Sequence, residues 1–215
     1  MTRSGRIGAA AIGITCSVVA VLQWRARATD PTLGFWFADD VTFALHDPRR
    51  IGGAVAPDEV EQIRRIAREE VEHAFAPFGI EVTDRQDAPF RVAVKQVIRP
   101  GRGTAAQYTG AAGQSFVMGP LGNYGAVNFQ LLAAQAMSFA PADATRRHII
   151  EAIGRGVGRA AIHEFTHQLL PLARIDAAED ESSYEFGSAN RRIQYYGELH
   201  WTLAGPQLRE RYAQR

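Results

Sequence analysis

A chain of 215 residues, 46% hydrophobic and 22% charged, has the size and composition of one globular domain with a sizeable core, and is short for two. A formal net charge of +1 excludes a polyanion-binding surface, so no nucleic-acid partner is expected. Lys95 is the single lysine beside 23 arginines, which reads as codon usage and not as recognition.

Arg3 and Arg6 precede an uncharged run from Ile7 to Leu22, followed by Ala26-Arg27-Ala28. A basic start, an apolar stretch and a small-residue pair predict a secretory signal over residues 1–28. An uncleaved anchor through residues 7–22 is the alternative, although a spanning helix needs about 20 apolar residues. Either way the chain is expected to work outside the cytoplasm, as a periplasmic, secreted or outward-facing anchored protein. Cys16 lies inside this segment, so residues 29–215 hold no cysteine and carry 20 basic against 23 acidic residues, net −3.

Residues 29–40 read as a lead-in to a short strand, Val41–Leu45, which His46-Asp47-Pro48 ends. Pro57 with Asp58 and Glu59 predicts a helix start. Val60, Ile63, Ala67, Val71, Ala74 and Phe78 then form one apolar stripe, and Gly79 stops it. Strands are predicted at Ile80–Thr83, Phe90–Val97 and Gln114–Met118, with a glycine- and alanine-rich loop over 99–113. Residues 119–125 read as a turn cluster, and Ala126–Leu132 as a last strand or the entry to a short helix. Residues 142–145 cap a long helix whose stripe runs Ile149, Ile153, Val157, Ala160, His163, His167, and Pro171 closes it. Gly154, Gly156 and Gly158 either break this helix near its middle or let it pack closely on the sheet. Leu199–Tyr212 is predicted as a final helix, interrupted or kinked at Gly205-Pro206.

The chemistry is concentrated in His163-Glu164-Phe165-Thr166-His167. Residues i and i+4 share a helix face, so both imidazoles can meet one metal ion. Glu164, one position round, can hold and deprotonate a metal-bound water. A zinc peptide hydrolase needs this arrangement. A catalytic zinc site also needs a third protein ligand, and the carboxylates of residues 176–185 supply the candidates.

The motif, on a helix preceded by a helix and several strands, resembles the zincin superfamily of metalloproteases. The resemblance implies an α+β domain over residues 29–215: a small mixed sheet, a backing helix and an active-site helix. It implies Zn²⁺ as cofactor, His163 and His167 as ligands and Glu164 as general base. A peptide or protein substrate would pair with an edge strand, Gln114–Met118 or Ala126–Leu131. The metzincin branch would place glycine at 170 and histidine at 173, where this chain has Leu170 and Ala173. Glu185, 18 residues after His167, is similar to the gluzincin ligand, a glutamate on the next helix, and is the preferred third ligand. Asp176, nine residues after His167, fits a shorter return, and Asp180 is a further choice. Ser182-x-x-Glu185 is also a capping box, which would engage Glu185 at a helix start. In such sites a tyrosine or histidine stabilises the oxyanion, for which Tyr184, Tyr196 and His200 are candidates. Two rival functions share these residues: an exported module that binds without catalysis, and a zinc hydrolase of a non-peptide amide.

Overall fold

The computed structural model describes residues 32–98, 111–119, 122–171 and 173–212. The signal or anchor segment predicted over 1–28 and most of the loop predicted over 99–113 lie outside the described residues. Among the described residues no helix is long and apolar enough to cross a membrane.

The first strand is β1, Leu33–Phe37, and not the predicted Val41–Leu45. Leu33-Gly-Phe-Trp-Phe is a continuous apolar run, the pattern of a strand covered on both faces, whereas alternation of apolar and polar residues marks the later segment. At Phe43 the backbone turns to φ 55°, which no strand accommodates. The aromatic packing of Phe43 holds it there: its ring stacks on Phe37 at 5.6 Å and meets Phe129 edge-on at 5.0 Å.

Helix α1 (Pro57–Phe75) begins at the predicted proline, with Glu59 accepting a 2.8 Å hydrogen bond from Ala56 N. Its stripe of Ile63, Ala67, Val71 and Ala74 is buried. Strands β2 (Val82–Thr83), β3 (Phe90–Lys95), β4 (Gly113–Gly119) and β5 (Gly122–Asn128) complete a sheet of order β2-β1-β3-β5-β4. The first four in that order run parallel, and β4 pairs antiparallel with β5 at the edge. Parallel neighbours require covered faces, and Val92, Ala93 and Val94 are consecutively buried. The predicted turn cluster is mostly strand: Gly119 ends β4 and residues 122–125 belong to β5. Both readings of residues 126–132 hold in part: β5 ends at Asn128, whose side chain accepts from Leu131 N and caps α2 (Phe129–Ser138).

Helix α3 (Arg146–Leu169) starts at Thr145, whose hydroxyl accepts from His148 N at 3.2 Å. It runs unbroken across β3, β5 and β4 and against α1, α2 and the short α4 (Ile193–Tyr196). Its glycines serve close approach, but to other helices and not to the sheet. A Cβ at Gly154 would lie 2.9 Å from Ile66 Cβ, and one at Gly158 2.5 Å from the Ala67 carbonyl oxygen. At Gly156 it would overlap the ring of Tyr195. The last helix, α5, covers only Ala204–Tyr212. Gly205-Pro206 lies in its first turn, where a missing N–H costs nothing, so the pair opens the helix and does not kink it. The fold is thus mixed α and β, with a five-stranded, mostly parallel sheet and α3 at its centre.

A Gly158→Ala substitution separates propensity from packing. Intrinsic preference alone would add about 1 kcal/mol of stability. The overlap with α1 is expected instead to remove about 2–3 kcal/mol, read as a lowered midpoint in denaturant unfolding.

Candidate metal centre

The C-terminal half of α3 forms the floor of a cleft. His163 and His167, one turn apart, bring their Nε2 atoms within 3.1 Å of each other. The third group is Asp176, whose Oδ1 lies 3.0 Å from His163 Nε2 and 3.4 Å from His167 Nε2. The preferred third ligand of the sequence reading, Glu185, is elsewhere.

Glu185 is 0% exposed and sits in a turn, not on a helix. Its carboxylate accepts from Thr202 N at 3.1 Å, from Ala204 N at 2.6 Å, and from the hydroxyls of Ser183 and Thr202. A negative side chain over the free N–H groups of a helix start is stabilised by both hydrogen bonds and the helix dipole. Glu185 therefore caps α5, a helix beginning 19 residues downstream, instead of completing the histidine pair. The capping reading pointed to the right chemistry at the wrong helix. Asp180 is also taken: it accepts from Ser182 N at 2.8 Å and pairs with His200 Nε2 at 3.2 Å.

Asp176 reaches the histidines because its neighbours anchor the loop. Ile175 and Ala178 are buried on either side of it, Ala177 bridges to Phe186, and the Asp176 side chain stays 64% exposed to the cleft. The Tyr184 carbonyl lies 3.1 Å from His163 Nδ1. A carbonyl only accepts, so Nδ1 carries the proton and, in the neutral ring, Nε2 presents its lone pair to the cleft. That lone pair faces a carboxylate oxygen and a second imidazole nitrogen. A proton on one imidazole or a metal ion between the three satisfies such a trio. A tetrahedral ion with bonds of about 2.0–2.1 Å would separate its ligand atoms by about 3.3 Å, close to the three distances observed.

Their mutual contact shifts Asp176 and His163 in opposite directions. Asp176 is held well below the usual carboxylate range by its hydrogen bonds to His163 and His167. For His163, burial acts to lower the pKa, but the hydrogen bond to Asp176 and the charge of Glu164 together leave it raised. Burial raises Glu164, against the nearby histidines, which lower it.

Glu164 lies against the edge strand. Gly113 leaves room for its carboxylate, which a Cβ there would overlap. Ser115 Oγ donates to the Glu164 carbonyl at 2.9 Å. Gln168, one residue past the motif, accepts from Arg91 N at 2.9 Å and donates to the Arg91 carbonyl at 3.0 Å, tying α3 to β3 in register. Gly113, Ser115 and the role of Gln168 carry no signal in the sequence, because each depends on β3 or β4 lying beside α3. The expected oxyanion candidates do not converge on the trio. Tyr196 donates to the Ala136 carbonyl at 2.8 Å, and exposed His200 pairs with Asp180. The Tyr184 ring packs on Trp201 at 4.9 Å, and only its carbonyl serves His163.

The cleft, of about 490 Å³, runs between β4 (Gly113–Ser115) and the turn Phe186–Asn190, with the trio at its base. The chain matches no family model, no curated protein and no solved structure.

The two carboxylates make opposite predictions. Asp176→Ala is expected to fold normally and to lower Zn²⁺ affinity by 100-fold or more, measured by competition with a chromophoric chelator. Glu185→Gln is expected to retain Zn²⁺ affinity within about ten-fold while losing about 3 kcal/mol of stability in denaturant unfolding.

Proposed function

We propose that the chain is a zinc-dependent hydrolase of peptide bonds with a zincin-like catalytic domain. The convergence of His163 Nε2, His167 Nε2 and Asp176 Oδ1 at metal-ligand spacing carries the reading. His163, His167 and Asp176 would hold the ion in place of the Glu185 ligand first expected. When bound, Zn²⁺ supplies Lewis-acid polarisation of a carbonyl and lowers the pKa of a water towards neutrality.

The rest of the work falls to the chain. The Tyr184 carbonyl fixes the tautomer and ring plane of His163, so that no energy is spent choosing them when the ion arrives. Glu164, buried beside the histidines, is the proton carrier: it takes the proton from the attacking water and returns it to the departing amine. Burial favours that shuttle, because it raises the carboxyl from its ordinary range towards neutrality. Gly113 and Ser115 hold Glu164 against β4 from the side chain and the main chain respectively.

Among the described residues β4 is the last strand of the sheet, and its outer edge offers backbone groups to an extended peptide lying along the cleft. Asp176 and the turn Phe186–Asn190 form the opposite wall. An extended chain bound between the two would pass over Glu164 and the histidines.

Glu164→Gln preserves shape and removes the proton acceptor. The expected outcome is stoichiometric zinc by metal analysis and a turnover of peptide substrates reduced by about 10²–10⁴-fold. Unchanged turnover would mean that other residues carry the proton, a wild type that turns over no peptide would mean a binding module, and wild-type protein without bound zinc would end the metal reading.

A further inference from the structure

One end of the cleft, about 6 Å along α3 from His163 towards its N-terminus, is lined by two guanidiniums, which can only donate, and by an amide. Arg159 and Arg191 line it, 6% exposed each, together with Gln194, 3% exposed. Arg159 is partly neutralised by Glu70 at 2.9 Å and spends its Nη1 on the carbonyls of Ile193, Gln194 and Gly197. Arg191 has no carboxylate partner among the described residues. Its Nη atoms donate to the carbonyls of Glu181 and Ser183 and to Gln194 Oε1, and its Nε is buried with no hydrogen bond.

A guanidinium cannot accept a hydrogen bond, so the 2.9 Å contact from Arg191 fixes Oε1 of Gln194 as the acceptor. The other end of the amide, Nε2, has no hydrogen-bond partner among the described residues and belongs to a side chain that lines the cleft. Carbonyl dipoles solvate Arg191 but do not cancel its charge, and a buried cation without a counter-charge is expensive. Desolvation, with repulsion from Arg159, pushes Arg191 down to about 10, while Glu181 and Asp180 act the other way. Two buried guanidiniums thus share one directly paired carboxylate at this end of the cleft.

We infer that this end of the cleft is a subsite for a carboxylate of the substrate, so that the hydrolase prefers an acidic side chain or a free C-terminus beside the bond it cleaves. The inference rests on reading the cleft as the substrate site. A carboxylate there would accept from Gln194 Nε2 and supply a counter-charge to Arg191, and burial of these side chains strengthens a charge-assisted hydrogen bond. A neutral amide of the same shape would offer Arg191 no counter-charge.

The full chain, stripped of metal by a chelator, is titrated at pH 8 with N-acetyl-glutamate α-amide and with N-acetyl-glutamine α-amide, which differ by one charge. The wild type is expected to bind the acid at least ten-fold more tightly. Gln194→Glu places a carboxylate on Arg191 within the same shape, and should reduce that preference to two-fold or less. Gln194→Met, which removes the donor without adding charge, should weaken acid binding while its thermal unfolding checks the fold. Equal binding of the two amides by the wild type overturns the subsite, and so does a preference that survives in Gln194→Glu. Zinc content is measured separately on the untreated chain. Zinc uptake without acid preference sinks the subsite alone, whereas acid preference without zinc uptake sinks the metal reading alone.

Discussion

The close approach of α3 to its neighbours is the constraint from which the rest of the structure follows. Where helix axes commonly lie 8–10 Å apart, side chains keep them separate. At Gly154 and Gly158 the backbone of α3 instead comes within Cβ reach of Ile66 and Ala67 on α1. On another face, Gly156 receives the ring of Tyr195, whose hydroxyl continues to Gln135 on α2 at 2.6 Å. Glycine weakens a free helix, but here each one exchanges intrinsic propensity for contact. The result is a helix buried along most of its length, with its C-terminal half free of crowding only where the cleft opens.

That half is then held in register by polar contacts that cannot slide. Gln168 engages both backbone groups of Arg91, as a neighbouring strand would, so α3 is positioned along β3 to within one residue. Ser115 adds a bond from the edge strand to the Glu164 carbonyl. The histidines, Glu164 and β4 consequently form one rigid surface. A constellation on a buried helix braced by a sheet is positioned more accurately than one on loops.

The loop after Pro171 completes the surface, and its carboxylates divide the work by burial. Glu185, enclosed, meets fixed N–H groups of α5 and becomes structural. Asp176, flanked by buried Ile175 and Ala178, remains in the cleft and faces both imidazoles. The residue between these roles, Tyr184, gives its carbonyl to His163. Because Glu185 clamps the chain next to Tyr184, the cap on α5 and the orientation of His163 are parts of one hydrogen-bonded path.

The sequence by itself determined what is local. The apolar stripe of α1, the proline that opens it and the cap at Thr145 depend on spacing within a few residues, and so do the pairing of His163 with His167 and the stop at Pro171. Tertiary structure decided whatever depends on segments distant in the chain. It selected Leu33–Phe37 over Val41–Leu45 as the first strand, because a run covered on both faces needs no alternation. It kept α3 whole through three glycines, because their cost is offset by neighbours that no helical wheel displays. It also chose Asp176 over Glu185 at the histidines. Distance along the chain ranks acids by count, whereas a folded loop ranks them by where its buried residues, Ile175 and Ala178 on one side and Ser183 and Glu185 on the other, force the backbone to turn.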